Sequence, residues 1–183
     1  SIQYRITDEQ ARIPLNFFAE GDAGARTRQV NLLGRLPGFR QQTARDLVAR
    51  RWDNPPRQPI LHLGELHRFE GFDPGQNNEQ IRRLESLVSV HGVAVNVNTA
   101  SPEILERLGL SSQLTSQFVE FRNGGDGGDG QWGTGDDRVL ETAQIRNAFL
   151  GWAASPEERT LIGQLTGTPP MLVGNSSFFR VEV

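Results

Sequence analysis

Apolar positions recur along this chain at two periods, and the switch between them is sharpest after Val93. Val93, Val95 and Val97 alternate with other residues, the pattern of a short half-buried strand. Asn98 and Thr99 then introduce turn chemistry. Ser101 is placed as an N-cap, Pro102 takes the first helical position, and Glu103 lies beside the exposed amides. Ile104, Leu105 and Leu108 give the helix an apolar stripe that Gly109 ends. Past Ser111-Ser112, a second amphipathic segment runs from Gln113 to Arg122. Strand, capped helix, tight turn and second helix together predict a helix-hairpin-helix layout.

The same reading along the rest of the chain predicts a mixed fold. Ile2, Tyr4 and Ile6 alternate, Thr7 to Gln10 reads as a turn, and Arg12 to Asn16 as a return arm, so residues 1–16 predict a β-hairpin. Pro14 cannot donate to a ladder, which makes that arm an edge. After a loop at Gly21 to Gly24, Val30, Leu32, Leu33 and Leu36 give a helical stripe broken at Pro37-Gly38. A second helix over 41–51 places Ala44, Leu47 and Val48 on one face. A proline-rich irregular run from Asp53 to Pro59 follows, then a short helix from Leu63 that ends at Gly71. A polar loop, Asp73 to Asn78, leads to a helix with Ile81, Leu84, Leu87 and Val88 inward. Helical pattern resumes at Thr142 to Trp152 and at Pro156 to Leu165. Phe178 to Val183 alternate as a closing strand.

Gly38-Phe39 with Leu47, Val48 and Arg51 matches Gly109-Leu110 with Phe118, Val119 and Arg122 at an offset of 71 residues. This is a weak internal repeat, which two unrelated amphipathic helix pairs would also produce. Two functional readings of the hairpin stand side by side. In one, turn amides grip a nucleic-acid phosphate; in the other, the helices pack a core or a partner. The turn is Gly109-Leu110-Ser111, without a second glycine or any cation, which favours the second reading.

Composition narrows the choice. The 183 residues suit one domain, and 36% hydrophobic residues suffice for a core. A net charge of −3 makes no general electrostatic case for nucleic acid. No apolar run approaches the ~20 residues that span a bilayer. No signal peptide precedes the first strand-like segment, a start read as that of a trimmed or processed protein. Cysteine is absent, which excludes disulfide and thiolate chemistry. The three histidines, His62, His67 and His91, lack metal-ligand spacing, and no nucleophile-elbow or phosphate-loop motif occurs. The expectation is a protein that is not an enzyme.

One stretch carries candidate chemistry. From Asn123 to Asp137 the chain holds seven glycines and four aspartates, Asp126, Asp129, Asp136 and Asp137. Carboxylates crowded on a flexible backbone repel one another and supply the hard oxygens that calcium takes. The spacing is not that of an EF-hand, and the competing reading is a solvated loop. Trp132 in its middle argues for an anchored loop. Calcium is the expected cofactor.

Taken together, the segments resemble the K-type minor pseudopilins of type II secretion systems, the general secretion pathway protein K family. Asp8-Glu-Gln-Ala-Arg-Ile-Pro-Leu-Asn16 is similar to the family's Asp-Glu-Gln-Gly-Arg/Lys-Ile-Asn-Leu-Asn signature, departing at Ala11 and Pro14. Leu63-Gly-Glu-Leu66 with Gly71 looks like its Leu-Asp-Glu-Leu segment. Val95-Asn-Val-Asn-Thr-Ala100, with Pro102 to Leu105, looks like its strand-to-helix junction, and Ser177-Phe-Phe179 like its closing strand. An acidic region that follows the family's first helix pair is reduced here to Trp52-Asp53-Asn54.

The resemblance implies an α+β fold. A pilin-like antiparallel sheet would be built from the terminal strands, with a large helical insertion containing helix-hairpin-helix (SAM-like) units. It implies a pilin-like part at 1–24 and 166–183 with pieces of 90–165, an insertion at 25–90 and about 100–122, and the Asp/Gly loop at 123–137. It further implies a subunit at the tip of the periplasmic pseudopilus, joined to I- and J-type minor pseudopilins and serving secreted protein substrates. No nucleic acid is expected. The membrane would be reached only through an N-terminal helix absent from this chain, anchoring the full-length protein in the bacterial inner membrane. The alternatives are a helix-hairpin-helix DNA-binding module resembling competence DNA receptors and a free-standing calcium-binding domain.

Overall fold

The computed structural model describes residues 3–16, 23–52, 59–72, 78–125 and 127–182. Six short strands are found there: β1 (Arg5–Asp8), β2 (Ile13–Pro14), β3 (Val88–Ser89), β4 (Val95–Asn96), β5 (Leu172–Val173) and β6 (Phe179–Glu182). Helices are α1 (Ala23–Leu33), α2 (Gln41–Trp52), α3 (Asn78–Glu85), α4 (Pro102–Arg107), α5 (Ser112–Arg122), α6 (Thr142–Trp152) and α7 (Pro156–Leu165). Short 3₁₀ turns occupy Glu9–Ala11 and Leu63–Arg68. The fold is α+β. Among the described residues no helix is long and apolar enough to cross a membrane. Ile2, residues 53–58, residues 73–77 and Asp126 lie outside the described residues.

The expected hairpin over 1–16 does not form. β1 instead pairs antiparallel with β6, setting Ile6 opposite Val181 and Asp8 opposite Phe179. Asp8 accepts the amide of Gln10 at 2.8 Å and starts the 3₁₀ turn, which carries the chain onward instead of back. β2 then runs parallel to β3. Alternation fixes which face a strand buries, and it leaves the partner open. The edge assignment of Pro14 agrees with the structure: Ile13 and Leu15 donate to Leu87 and Ser89, both at 2.8 Å, so Pro14 sits where no donor is used.

β4 and β5 form a third, parallel pair. The strand expected to be half-buried is buried on both sides. Val95 and Val97 are sealed, Ala94 and Asn96 are also buried, and Val93 is 54% exposed. The helices follow their local signals. Ser101 accepts the amide of Ile104, Ser111 that of Leu114, and Ser155 that of Glu158, with Pro102 and Pro156 in the first turns. α4 ends in a Schellman arrangement, Leu110 N–H to Leu105 and Gly109 N–H to Glu106, which needs the positive φ of Gly109.

One contiguous core joins the helices to the strands. Phe39 meets Phe72 edge-on at 5.0 Å, and Phe118 meets Phe149 at 5.0 Å. Ile81 and Leu84 are buried on α3 as helical spacing predicts. The helix ends at Glu85, so Leu87 and Val88, expected on the same helix, are buried instead from a turn and from β3. The α1–α2 and α4–α5 pairs share a turn glycine at positive φ, Gly38 and Gly109, each followed by a buried apolar residue.

Candidate functional site

Two polar assemblies stand out. The first is a junction at the base of the β1–β6 ribbon. Asp8 accepts hydroxyl hydrogen bonds from Ser176 at 2.6 Å and from Thr99. Glu9 is only 3% exposed and accepts Ser89 Oγ at 2.6 Å and Arg180 Nε at 2.7 Å, with Arg12 at 3.4 Å. Burial alone would raise the carboxyl of Glu9. The Ser89 hydroxyl and the Arg180 and Arg12 cations outweigh it and hold the group below the ordinary glutamate value. Gln10 accepts the amide of Ser177 at 2.5 Å and donates to the Ala94 carbonyl at 3.4 Å.

Asparagines extend the junction. Asn16 donates to the carbonyls of Ile60 and Val90 at 2.7 and 2.6 Å and accepts the amide of Ile60 at 3.0 Å. Asn98 does the same for a second pair of loops. Its amide group donates to Leu140 and Gly174 at 2.9 and 2.7 Å, and its oxygen accepts the amide of Leu140 at 3.0 Å. Asn96 donates to Ser176 at 2.9 Å. Glu65 accepts the amide of Leu61 at 2.7 Å, the main cause of its lowered pKa, and so fixes the segment that Asn16 holds. Backbone groups left unpaired by short strands are thus satisfied from side chains.

The second assembly is the Asp/Gly loop. Asp129 Oδ1 accepts the amide of Gln131 at 2.8 Å. Asp136 Oδ2 accepts the amide of Asp129 at 2.9 Å. Asp137 Oδ2 accepts the amides of Gly133 and Thr134 at 2.6 and 3.0 Å. The Thr134 hydroxyl lies 2.6 Å from Asp136 Oδ1, 3.1 Å from the Gln131 carbonyl and 3.2 Å from Asp129 Oδ1. A hydroxyl has one proton, so three oxygens converge where one can be satisfied. The Thr134 hydroxyl and the Asp129 amide hold the carboxyl of Asp136 below its ordinary value, and Arg138 adds to this.

Of the four predicted ligands, Asp129 and Asp136 are brought together. Asp137 is turned to the 133–134 amides, and Asp126 lies outside the described residues. Among the described residues, no set of three acidic or histidine side chains is placed to hold one ion.

Arg122 connects the two assemblies. It is 6% exposed, and its Nη1 donates to the carbonyl of Ala100 at 2.7 Å and, more distantly, to Val97 and Asn98 at 3.3 and 3.4 Å. The Trp132 ring lies 5.1 Å from its guanidinium and the Phe118 ring 5.7 Å. Burial lowers its pKa and the charge of Asp137 opposes that. Trp132, 41% exposed, therefore anchors the loop by resting on a cation and not by burying its ring. Helix periodicity marks Arg122 only as the last residue of an amphipathic face. Its sequence signal is weak: a lone arginine on the stripe that otherwise carries Leu114 and Phe118.

Sequence reasoning also missed Glu158. It accepts a short hydrogen bond from the Ser111 hydroxyl and the amide of Ala154 at 2.8 Å, and the Ser111 bond is the main cause of its lowered pKa. It places a carboxylate at the α4–α5 turn. No protein family, curated protein or solved structure matches this chain.

Proposed function

We propose that this chain is the periplasmic part of a K-type minor pseudopilin, an assembly subunit at the tip of the type II secretion pseudopilus and not an enzyme. The observation that carries the reading is the convergence of its four resembling segments. Asp8 to Asn16, Leu63 to Leu66, Val95 to Ala100, and Ser177 to Phe179 are scattered over the sequence, yet Asp8 bonds Thr99 and Gln10 bonds Ser177. Asn16 holds Ile60 in the segment that Glu65 fixes, and Asn96 bonds Ser176 beside the closing strand. A motif set that is interdependent in space is what a shared fold requires.

The terminal ribbon supports the assembly role. Ile6 and Val181 face each other across β1 and β6, and Tyr4 and Phe179 lie on the same face; all four are exposed. A two-stranded ribbon with an uncovered apolar face is the surface an assembly subunit leaves for partners. In this reading residues 1–24 and 166–183 belong to a pilin-like part, and the α1–α2 and α4–α5 pairs are helix-hairpin-helix halves of the insertion, sharing one core with it. I- and J-type pseudopilins are the partners, secreted proteins the cargo, and an inner-membrane helix outside this chain the anchor. Calcium belongs to the reading at the Asp/Gly loop. Asp129, Asp136 and the Gln131 carbonyl would supply oxygens, with Asp137 and Asp126 completing or supporting the set.

The DNA-binding alternative is disfavoured by two features of the α4–α5 turn. The amides of Gly109 and Leu110 are already used within the Schellman turn, and the Glu158 carboxylate, bonded to the Ser111 hydroxyl at the same turn, would repel a phosphate there.

Sedimentation of the chain with I- and J-type periplasmic domains tests the proposal. The expected result is a ternary complex that Ile6→Glu with Val181→Glu weakens by about tenfold or more. Indefinite self-association, no complex at any concentration, or micromolar duplex binding that falls steeply with salt would overturn it.

A further inference from the structure

We infer that the pocket between α1, α7 and residues 167–171 is a peptide-binding site that takes an apolar side chain flanked by carboxylates from another protein. The pocket encloses about 330 Å³ and is lined by α1, Arg35, the end of the α4 segment and α7. Buried Leu32, Leu108, Leu165 and Met171 make an apolar floor. Asn31, Gln164 and Thr168 line it as polar residues, which suit a peptide main chain better than an alkyl tail. The inference uses none of the junction or loop residues, so it stands independently of the pseudopilin reading.

Charge identifies the occupant. Arg28 and Arg35 line the pocket, and no aspartate or glutamate does. Among the described residues neither guanidinium has an ion-pair partner, whereas Arg40, Arg83 and Arg107 all do. On a chain of net charge −3, two uncompensated guanidiniums beside an apolar seat are complementary to an acidic segment. The arginine fork matches a carboxylate in a bidentate geometry.

Two glycines keep the seat open. Gly163 lies inside α7, where glycine is disfavoured relative to alanine, yet a Cβ there would meet no atom within 4 Å. Packing does not require this glycine, and the residue lines the pocket, so a side chain there would take up part of its space. A Cβ at Gly109 would collide with the Arg35 guanidinium, so the bare backbone lets that group lie across the pocket's edge.

Fluorescence anisotropy on the whole chain tests the site with labelled octapeptides that carry a central Leu, Phe or Met. The flanks are acidic, neutral or basic. Acidic flanks are expected to bind about tenfold or more tightly than neutral ones, and basic flanks not at all. Arg28→Glu with Arg35→Glu should reverse the preference. Gly163→Leu should weaken acidic-peptide binding about tenfold while Tm stays level or rises, and Gly163→Ala should raise Tm with a smaller loss of binding. Equal affinity for all three flank classes, no binding by any peptide, or binding unmoved by Gly163→Leu would overturn the inference. Decanoate binding more tightly than every peptide would overturn it too, by making the site one for fatty acids.

Discussion

Residues 94–100 and 123–137 are both largely irregular backbone held by side-chain hydrogen bonds, and both rest on Arg122, yet they are built on opposite principles. In the first, asparagines and one guanidinium reach across the molecule to satisfy carbonyls and amides that are buried or partly buried. In the second, aspartates satisfy amides a few residues away, in solvent. The buried segment ties together loops 42 and 76 residues distant through Asn98. Among the described residues of the exposed loop, the carboxylate bonds of Asp129, Asp136 and Asp137 span no more than seven residues. Long-range buried polar bonds make a segment structural, because unmaking them strands groups in a low-dielectric interior. Short-range exposed ones leave a segment free to exchange its partners for water or for an ion.

The largest effect should come from cutting the buried clamp. Asn98→Ala strands both backbone groups of Leu140 and the carbonyl of Gly174 in one step. The expected loss is about 3–4 kcal/mol, the sum of several unsatisfied buried groups after partial relaxation. Urea denaturation measures it. A loss below about 1 kcal/mol would mean that water replaces the side chain and that the clamp is not what fixes these loops.

Calcium sharpens the contrast from the other side. If the converging oxygens of Asp129, Gln131 and Asp136 hold an ion, stability should rise by ~2.7 kcal/mol at a hundredfold excess over the dissociation constant. Magnesium should substitute poorly, since it demands a tighter octahedral cage. Asp129→Asn with Asp137→Asn should remove the calcium-dependent shift and leave the calcium-free Tm nearly unchanged. Equal Tm in calcium and in chelator would leave the loop a solvated connection.

The sequence made one side of this comparison more legible than the other. Helix caps were legible because their chemistry is local: Ser101, Pro102 and Gly109 act within four residues of where they stand. The Asp/Gly loop was legible as a candidate site for the same reason. The partner of β1 was not, because Tyr4 and Ile6 state a periodicity and the strand they meet lies at the far end of the chain. Asn98 reads correctly as turn chemistry after the strand, which ends at Asn96, but its amide's reach to Leu140 and Gly174 is a tertiary fact. Arg122 was hidden by the helical stripe it sits on. That Arg28 and Arg35 have no ion-pair partner among the described residues appears only once the neighbouring carboxylates are placed.

Arg122 is where the two regions are coupled, so its removal should disturb both, less than the loss of Asn98. Arg122→Met keeps most of the apolar volume while removing the donor to Ala100, Val97 and Asn98, at an expected cost of about 2 kcal/mol. Trp132 loses its cation, and its emission, isolated by difference against Trp132→Phe, should shift to the red as the ring becomes more hydrated. A stability loss with unchanged Trp132 emission would show that the loop does not depend on the buried arginine.

The smallest effect, and the one that separates the regions most directly, is their response to acid. Glu9 and Asp136 both have carboxyl groups held below their ordinary values, Glu9 in the buried junction and Asp136 in the exposed loop. For Glu9, burial pushes the value up, but the Ser89 hydroxyl and the Arg180 and Arg12 cations prevail. A folded value below the unfolded one, about 4.3 for glutamate, means that the folded state binds fewer protons near that pH. The stabilisation is therefore fully present above the unfolded value, and it is lost as pH falls through the depressed folded one. Gln mimics the protonated acid, so Glu9→Gln should be less stable than wild type above about pH 5 and should converge with it in strong acid. Asp136 has the same sign, but its charge lies in solvent, where screening discounts it. Asp136→Asn should therefore leave the acid limb of the stability curve almost unchanged in the absence of calcium. Urea midpoints measured from pH 3 to 7 decide the matter: Glu9→Gln and wild-type curves that run parallel over that range would mean Glu9 is protonated alike in the folded and unfolded chains, and the junction would lose its claim to be the more tightly built of the two regions.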